Sequence, residues 1–397
     1  MQRNRRMLLL RGQVNTLRLL AVVIPANPGS ESGAGAGIQN ASGCPRLTTC
    51  RGRLIKSGMT NYLIAGSICR SFLIAIVLVT VMVFGPWSCS KSGYSGKAET
   101  VTMGQNPNET KALIYIAEDR GLFVANGLNV VFRDYDTGAE VADAMLTGEI
   151  DLATCAEYVI VRNVLKKKNI RNIASISKFQ NTYIIGRMDK GIRGIADLKG
   201  KRIGVARETS SEFFLGRFLD LHGMSIRQVT LVNVTPVQAV DVLVSGSVDA
   251  VAVIEPHANT IKKKLGDSVV MWPAQSGQLI YFNVTSTEAW ASSHPEVIGR
   301  LLRSLVQAEN YMMSHPNAAK AIVQKRLRYD DAYIDAIWPE YQLSVSLDQG
   351  LIAAMEDEAR WMIRNNLTNE KTVPDFGNYI YTDGLKAIRP EAVNIIR

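Results

Sequence analysis

Thr209, Ser210 and Ser211 set three hydroxyls in a row one residue ahead of an apolar stretch with helical spacing, FFLGRFLDL. Hydroxyls and free N–H groups at a helix start together hold an anion such as a sulfonate, a carboxylate or another oxyanion. Ordinary capping of the helix is the other use of the same residues. Arg207, two positions upstream, could add a charge-assisted contact or face solvent. Two carboxylates, Glu157 and Glu255, complicate a simple anion pocket. They suit a cationic or hydrogen-bond-donating ligand, or an amine-bearing zwitterion. Pairing with Lys178 or Arg207, or capping of the next helix, are the alternatives. Cys155 is a lone thiol in apolar company, which ordinarily packs. The four histidines show no ligand spacing with cysteines or carboxylates, so neither a zinc site nor a cofactor is expected. No nucleophile–base or paired-carboxylate constellation stands out, and the chain is expected not to be an enzyme.

The two glutamates end a repeated unit. Residues 137–157 read TGAEVADAMLTGEIDLATCAE and residues 235–255 read TPVQAVDVLVSGSVDAVAVIE. A constant offset of 98 relates Thr137 to Thr235, Asp143 to Asp241, Gly148 to Gly246, Asp151 to Asp249 and Glu157 to Glu255. Each copy opens with a capping-box pattern, Thr137/Glu140 and Thr235/Gln238. Each continues as an apolar helix stopped at glycine and ends in a short strand. In open α/β sheets ligands sit beyond the carboxyl ends of strands, so both copies deliver a loop to a candidate binding edge.

Charge separates a leader from a body. The formal charge is +9, but ten of the 45 Lys/Arg and one of the 36 Asp/Glu lie in residues 1–88, so the rest carries as many acids as bases. The body has no electrostatic claim on nucleic acid. Three of the five cysteines also lie in that leader, and no disulfide framework is expected. Residues 1–58 have no sustained periodicity and are read as a disordered extension or translated upstream sequence. Residues 59–88 read as an export signal: Arg70 gives the positive flank and SFLIAIVLVTVMVFG the apolar core. Cys89 follows, as in the lipobox of bacterial lipoproteins, although Pro86 and Trp87 are atypical there. An acylated Cys89 would tether the protein to a membrane at the periplasm or cell surface, with residues 89–100 as a flexible leash.

From residue 101 strands and helices alternate, which implies parallel sheets covered by helices. The order over 101–157 recurs over 202–255. Residues 173–186 and 278–284 are extended and are expected to cross between two halves, whereas everything after Thr287 reads as helix. One lobe is expected from 101–180 plus 285–397 and a second from 181–284. Facing lobes would bring together Gln105, Asn106 and Pro107; Thr137 and Gly138; Cys155, Ala156 and Glu157; Lys178 and Gln180; Arg207, Thr209, Ser210 and Ser211; and Glu255.

The stretches ALIYIAEDRGLFVANGLNVVF, TGEIDLATCAEY, IADLKGKRIGV, ETSSEFFLGRFLDLHGM and SGSVDAVAVIEPH resemble the solute-binding proteins of nitrate/sulfonate/taurine-type ABC importers, the NMT1/THI5-like family. The resemblance implies a two-lobed α/β fold of the type II periplasmic-binding-protein kind, each lobe a mostly parallel sheet flanked by helices, with two crossing hinge strands. It also implies a small-molecule ligand, an ABC permease and its ATPase as partners, and a monomeric binder. Its rivals are enzymes on the same fold (pyrimidine synthases, menaquinone-pathway dehydratases) and a ligand-sensing ectodomain.

Overall fold

The computed structural model describes residues 94–396. The chain divides into units Met1–Ser88 and Cys89–Arg397. The extension 1–58, the export signal 59–88 and Cys89 therefore lie outside the described residues. Among the described residues no helix is long and apolar enough to cross a membrane.

The chain builds one sheet, leaves it for a second and returns. β1 (Glu99–Gln105), β2 (Leu128–Asp134), β3 (Leu152–Ala156) and β4 (Ile170–Phe179) belong to the first sheet. β5 (Thr182–Arg187), β6 (Arg202–Val205), β7 (Thr230–Asn233), β8 (Ala250–Ile254) and β9 (Val269–Pro273) form the second, and β10 (Ile280–Thr287) and β11 (Tyr341–Gln342) return to the first. The strand orders are β11-β4-β10-β3-β1-β2 and β7-β6-β8-β5-β9. Gln180–Asn181 and residues 274–279 carry the crossings, one between β4 and β5 and the other between β9 and β10.

Each sheet is mixed by pairing. β2, β1 and β3 run parallel, as do β7, β6 and β8, while β10 and β5 run antiparallel to their neighbours. The expected parallel strands are thus joined by antiparallel ones, because a chain that must cross and come back has to reverse. β11 is a further departure from an all-helical tail. It adds an edge next to β4.

Helices cover both sheets: α1 (Ala112–Asp119), α2 (Gly138–Leu146), α3 (Glu157–Leu165), α4 (Ser210–Leu221), α5 (Pro236–Val244), α6 (His257–Leu265), α7 (Pro295–Ser314), α8 (Pro316–Leu327), α9 (Asp331–Ile337) and α10 (Gln349–Arg364). The repeat is retained element for element. α2 and α5 both begin with complete capping boxes, and both stop at a left-handed glycine, Gly148 at φ +79° and Gly246 at φ +76°. β3 and β8 then start and end at equivalent positions.

The paired aspartates explain part of the repeat. Asp151 accepts from Thr102 N (2.7 Å) and Thr102 Oγ1 (2.6 Å), and Asp249 accepts from Arg202 N (2.9 Å). Each thereby fixes a parallel strand, β1 or β6, against the repeat. Asp151→Ala leaves the Thr102 N–H without this acceptor, and we expect a loss of about 2 kcal/mol, read as a lowered urea midpoint at unchanged m-value.

One apolar cluster runs from the first sheet into α4. Phe213 of α4 stacks on Tyr158 of α3 (5.8 Å between ring centroids) and meets Trp361 of α10 edge-on (5.5 Å). Arg217–Asp357 (2.7 Å) and Arg364–Asp220 (2.6 Å) flank that contact. A smaller cluster lies under α5 and α6.

Candidate functional site

A cavity of about 70 Å³ lies at the carboxyl ends of strands from both sheets. From the first sheet come Asn106 and Asn108 after β1, Thr137 and Gly138 at the start of α2, and Ala156 ending β3. From the second come Ala206 after β6, Thr209, Ser210 and Ser211 at the start of α4, and Ile254 ending β8. Val159, Phe179, Ile280 and Phe282 supply an apolar wall. At roughly 10–15 Å³ per water, the space suits roughly five waters, or a ligand of only a few heavy atoms.

The start of α4 is open. Thr209 does not cap it; its Oγ1 donates back to Ala206 O (2.7 Å). The N–H groups of a first turn generally lack partners within their helix; here the Glu212 N–H donates to Thr209 O (3.1 Å). Ser210 is 6% exposed and its Oγ has no hydrogen-bond partner. A buried hydroxyl is costly when unpaired, so this one is set up to meet a group that enters the cavity. With the dipole of a twelve-residue helix behind it, the chemistry offered is anion-accepting.

Asn106, Thr137, Gly138, Ala156, Thr209, Ser210 and Ser211 of the sequence-derived set line this cavity. The rest of the set does not. Gln105 is buried and donates to Asp134 Oδ1 (3.1 Å), and Pro107 faces solvent. Cys155 is fully buried 3.9 Å from Thr285 Oγ1, and burial pushes its thiol up to about 12. Lys178 pairs with Asp348, and Gln180 Oε1 accepts from Gly277 N (3.2 Å). Arg207 pairs with Glu212 (2.6 Å) and lies along a neighbouring groove with Glu140, Arg162 and Glu208.

The two glutamates are corrected together. Both begin or precede helices, α3 and α6, that the sequence reading had not placed. Glu157 is fully buried and accepts from Tyr281 N (3.0 Å), and burial raises its carboxyl to about 8. Glu255 accepts from Asn259 N (3.1 Å), closing the first turn of α6, and from Tyr333 Oη (3.4 Å). Neither lines the cavity, so the helix-capping alternative describes Glu255, and Glu157 is an interior group.

Residues beyond that set complete the site. Asn108 Oδ1 accepts from Thr110 N (3.2 Å), Thr110 Oγ1 (2.5 Å) and Lys111 Nζ (2.7 Å). Lys111 is wholly buried, and burial holds its pKa well below the ordinary value. Glu109 is buried between the hydroxyls of Tyr329 (2.7 Å) and Tyr341 (2.5 Å). Asn106-Pro107-Asn108 was legible as a loop after a strand. The inward turn of Lys111 was not, since a lysine opening a helix ordinarily faces water.

Two sheets sharing one cleft at their strand ends, bridged by crossing segments, define the two-lobed α/β binding-protein class of fold. The model of the NMT1/THI5-like family matches residues 108–319, and this chain belongs to that family. Among curated relatives, a putative aliphatic sulfonates-binding protein of Bacillus subtilis is 22% identical over 307 residues, covering 75% of this chain and 91% of its own. The taurine-binding periplasmic protein of Escherichia coli is 24% identical over 230 residues, covering 56% and 70%. The solved alkanesulfonate-binding protein SsuA of Xanthomonas axonopodis pv. citri, bound to MOPS, superposes with a TM-score of 0.64 at 17% identity, covering 72% of this chain and 99% of its own. That likeness is one of fold.

Proposed function

We propose that this chain is the extracytoplasmic solute-binding component of an ABC importer and captures a small organic anion or oxyanion, of the sulfonate kind, between its two halves. The observation that carries this reading is the unpartnered, buried Ser210 hydroxyl at the start of α4, lining a cavity at the strand ends of both sheets. Family membership and the names borne by the relatives support the class of ligand. Residues 101–179 with 280–396 would form one lobe and 182–273 the other, since β10 returns to the first sheet and moves the expected boundary at 284/285 back to 279/280. Ligand would favour the closed arrangement by its greater affinity for it, and a permease with its ATPase would accept the loaded, monomeric protein. Acylation of Cys89 after export would hold the chain at the membrane surface.

A thermal-shift screen of the purified chain against sulfonates, nitrate, carboxylates, pyrimidines and amines tests the reading. Sulfonates or other oxyanions are expected to raise the melting temperature. Ser210→Ala should then weaken binding roughly tenfold to a hundredfold, the worth of one hydrogen bond to a charged group, with the unliganded melting temperature nearly unchanged. Equal affinity of wild type and variant by calorimetry would discard the helix-end site, and turnover of a bound compound would favour the enzyme reading.

A further inference from the structure

Resting on that solute-binding reading, we infer that the cleft selects a small organic anion that carries no ammonium group, and that Lys111 is the positioning residue behind this selectivity. Lys111 Nζ donates to Asn106 Oδ1 (2.9 Å) and Asn108 Oδ1 (2.7 Å) and lies 4.0 Å from the centroid of the Phe282 ring. Asn106, Asn108 and Phe282 all line the cavity. An ammonium only donates, so it turns both amide oxygens toward itself and leaves each Nδ2 as the free end. Neither Nδ2 has an acceptor among the described residues. The first sheet thus offers two amide donors, opposite the Ser210 hydroxyl offered by the second.

Charge completes the argument. Lys111 makes no ion pair among the described residues. The titratable groups that face it are Glu109, Cys155 and Asp134. Glu109 is held by two tyrosine hydroxyls, Cys155 is a buried thiol, and Asp134 accepts from Gln105. No carboxylate lines the cavity. A buried cation without a carboxylate partner is unfavourable, and an anion entering the cavity relieves it. A ligand ammonium would instead bring a second cation to a site with no carboxylate to receive it. Because burial disfavours the protonated form of Lys111, an arriving anion should also draw a proton onto it.

Calorimetric titration of the purified chain with 1-propanesulfonate, taurine and propylammonium, in two buffers of different ionisation enthalpy, tests this. Taurine has an ammonium where 1-propanesulfonate has its terminal methyl. We expect 1-propanesulfonate to bind about tenfold or more tighter than taurine, propylammonium not to bind, and the enthalpy at mildly alkaline pH to shift between buffers as a proton is taken up. Lys111→Met should weaken 1-propanesulfonate about tenfold, narrow its preference over taurine and remove the buffer dependence. If that variant does not fold, the wild-type preference and the proton uptake decide alone. Taurine binding as tightly as 1-propanesulfonate, or a Lys111→Met protein with unaltered preference, overturns the inference and leaves the solute-binding reading standing. Binding by none of the three overturns both.

Discussion

Gly216→Ala is expected to weaken ligand binding by roughly tenfold or more while leaving each half folded. Gly216 lies in α4, and a Cβ there would overlap Trp361 Cζ2 and stand 2.8 Å from Cε2. The indole has no free space to retreat into, since Trp361 is 4% exposed and is held by Phe213 and Tyr158. Alanine is the better helix former by about 1 kcal/mol, so α4 itself gains. The clash falls between α4, which packs on β8 and β5 of the second sheet, and α10, which packs on α3, and overpacking of this kind typically costs about 1–3 kcal/mol. Opening the cleft removes the strain, and an open cleft separates Ser210 from Asn106 and Asn108. Calorimetry should show the lost affinity and small-angle scattering a larger radius of gyration. Unchanged values of both would mean that the indole yields and that the α4–α10 contact does not govern closure.

Glu358→Met should remove part of the fall in stability between weakly acid and alkaline pH. Glu358 is fully buried on α10 with neither carboxyl oxygen hydrogen-bonded. Burial, then the neighbouring Glu157, raise its pKa well above the ordinary glutamate value. Burial likewise takes Glu157 from 4.5 to about 8. Both groups hold protons more tightly folded than unfolded. Their contribution is therefore complete below pH 4.5; that of Glu157 is lost as pH rises through about 8, and that of Glu358 as pH rises through its own raised pKa. Methionine has a similar volume and no charge to desolvate. The variant should match wild type near pH 4 and exceed it near pH 9 by on the order of 3 kcal/mol. Urea unfolding curves at the two pH values decide this, and parallel pH profiles for the two proteins would refute this account of Glu358.

The sequence already carried the scaffold. Spacing and punctuation located the twin units because Thr137/Glu140, Thr235/Gln238, Gly148 and Gly246 act locally, through caps and left-handed turns that need no tertiary partner. Ser210 and Ser211 were legible for the same reason. Side-chain direction was not. Glu157 and Glu255 occupy equivalent positions, yet one is buried beside Glu358 and the other closes α6. Equivalent backbone position does not fix what packs against it. Lys111 was passed over because its environment is assembled from Asn106, Asn108 and Phe282, the last 171 residues away in sequence. β9 and α6 were missed as well. Val269–Pro273 is short and half exposed, and α6 is rich in lysine, which gives a weak apolar signal.

A crystal structure with 1-propanesulfonate bound tests the central claim most directly. The account predicts the sulfonate oxygens within hydrogen-bonding distance of Ser210 Oγ and the α4 first turn, the amide nitrogens of Asn106 and Asn108 turned toward the ligand, and the propyl chain against Phe179 and Phe282. Density for the ligand outside this cleft, with Ser210 still unpartnered, would contradict it.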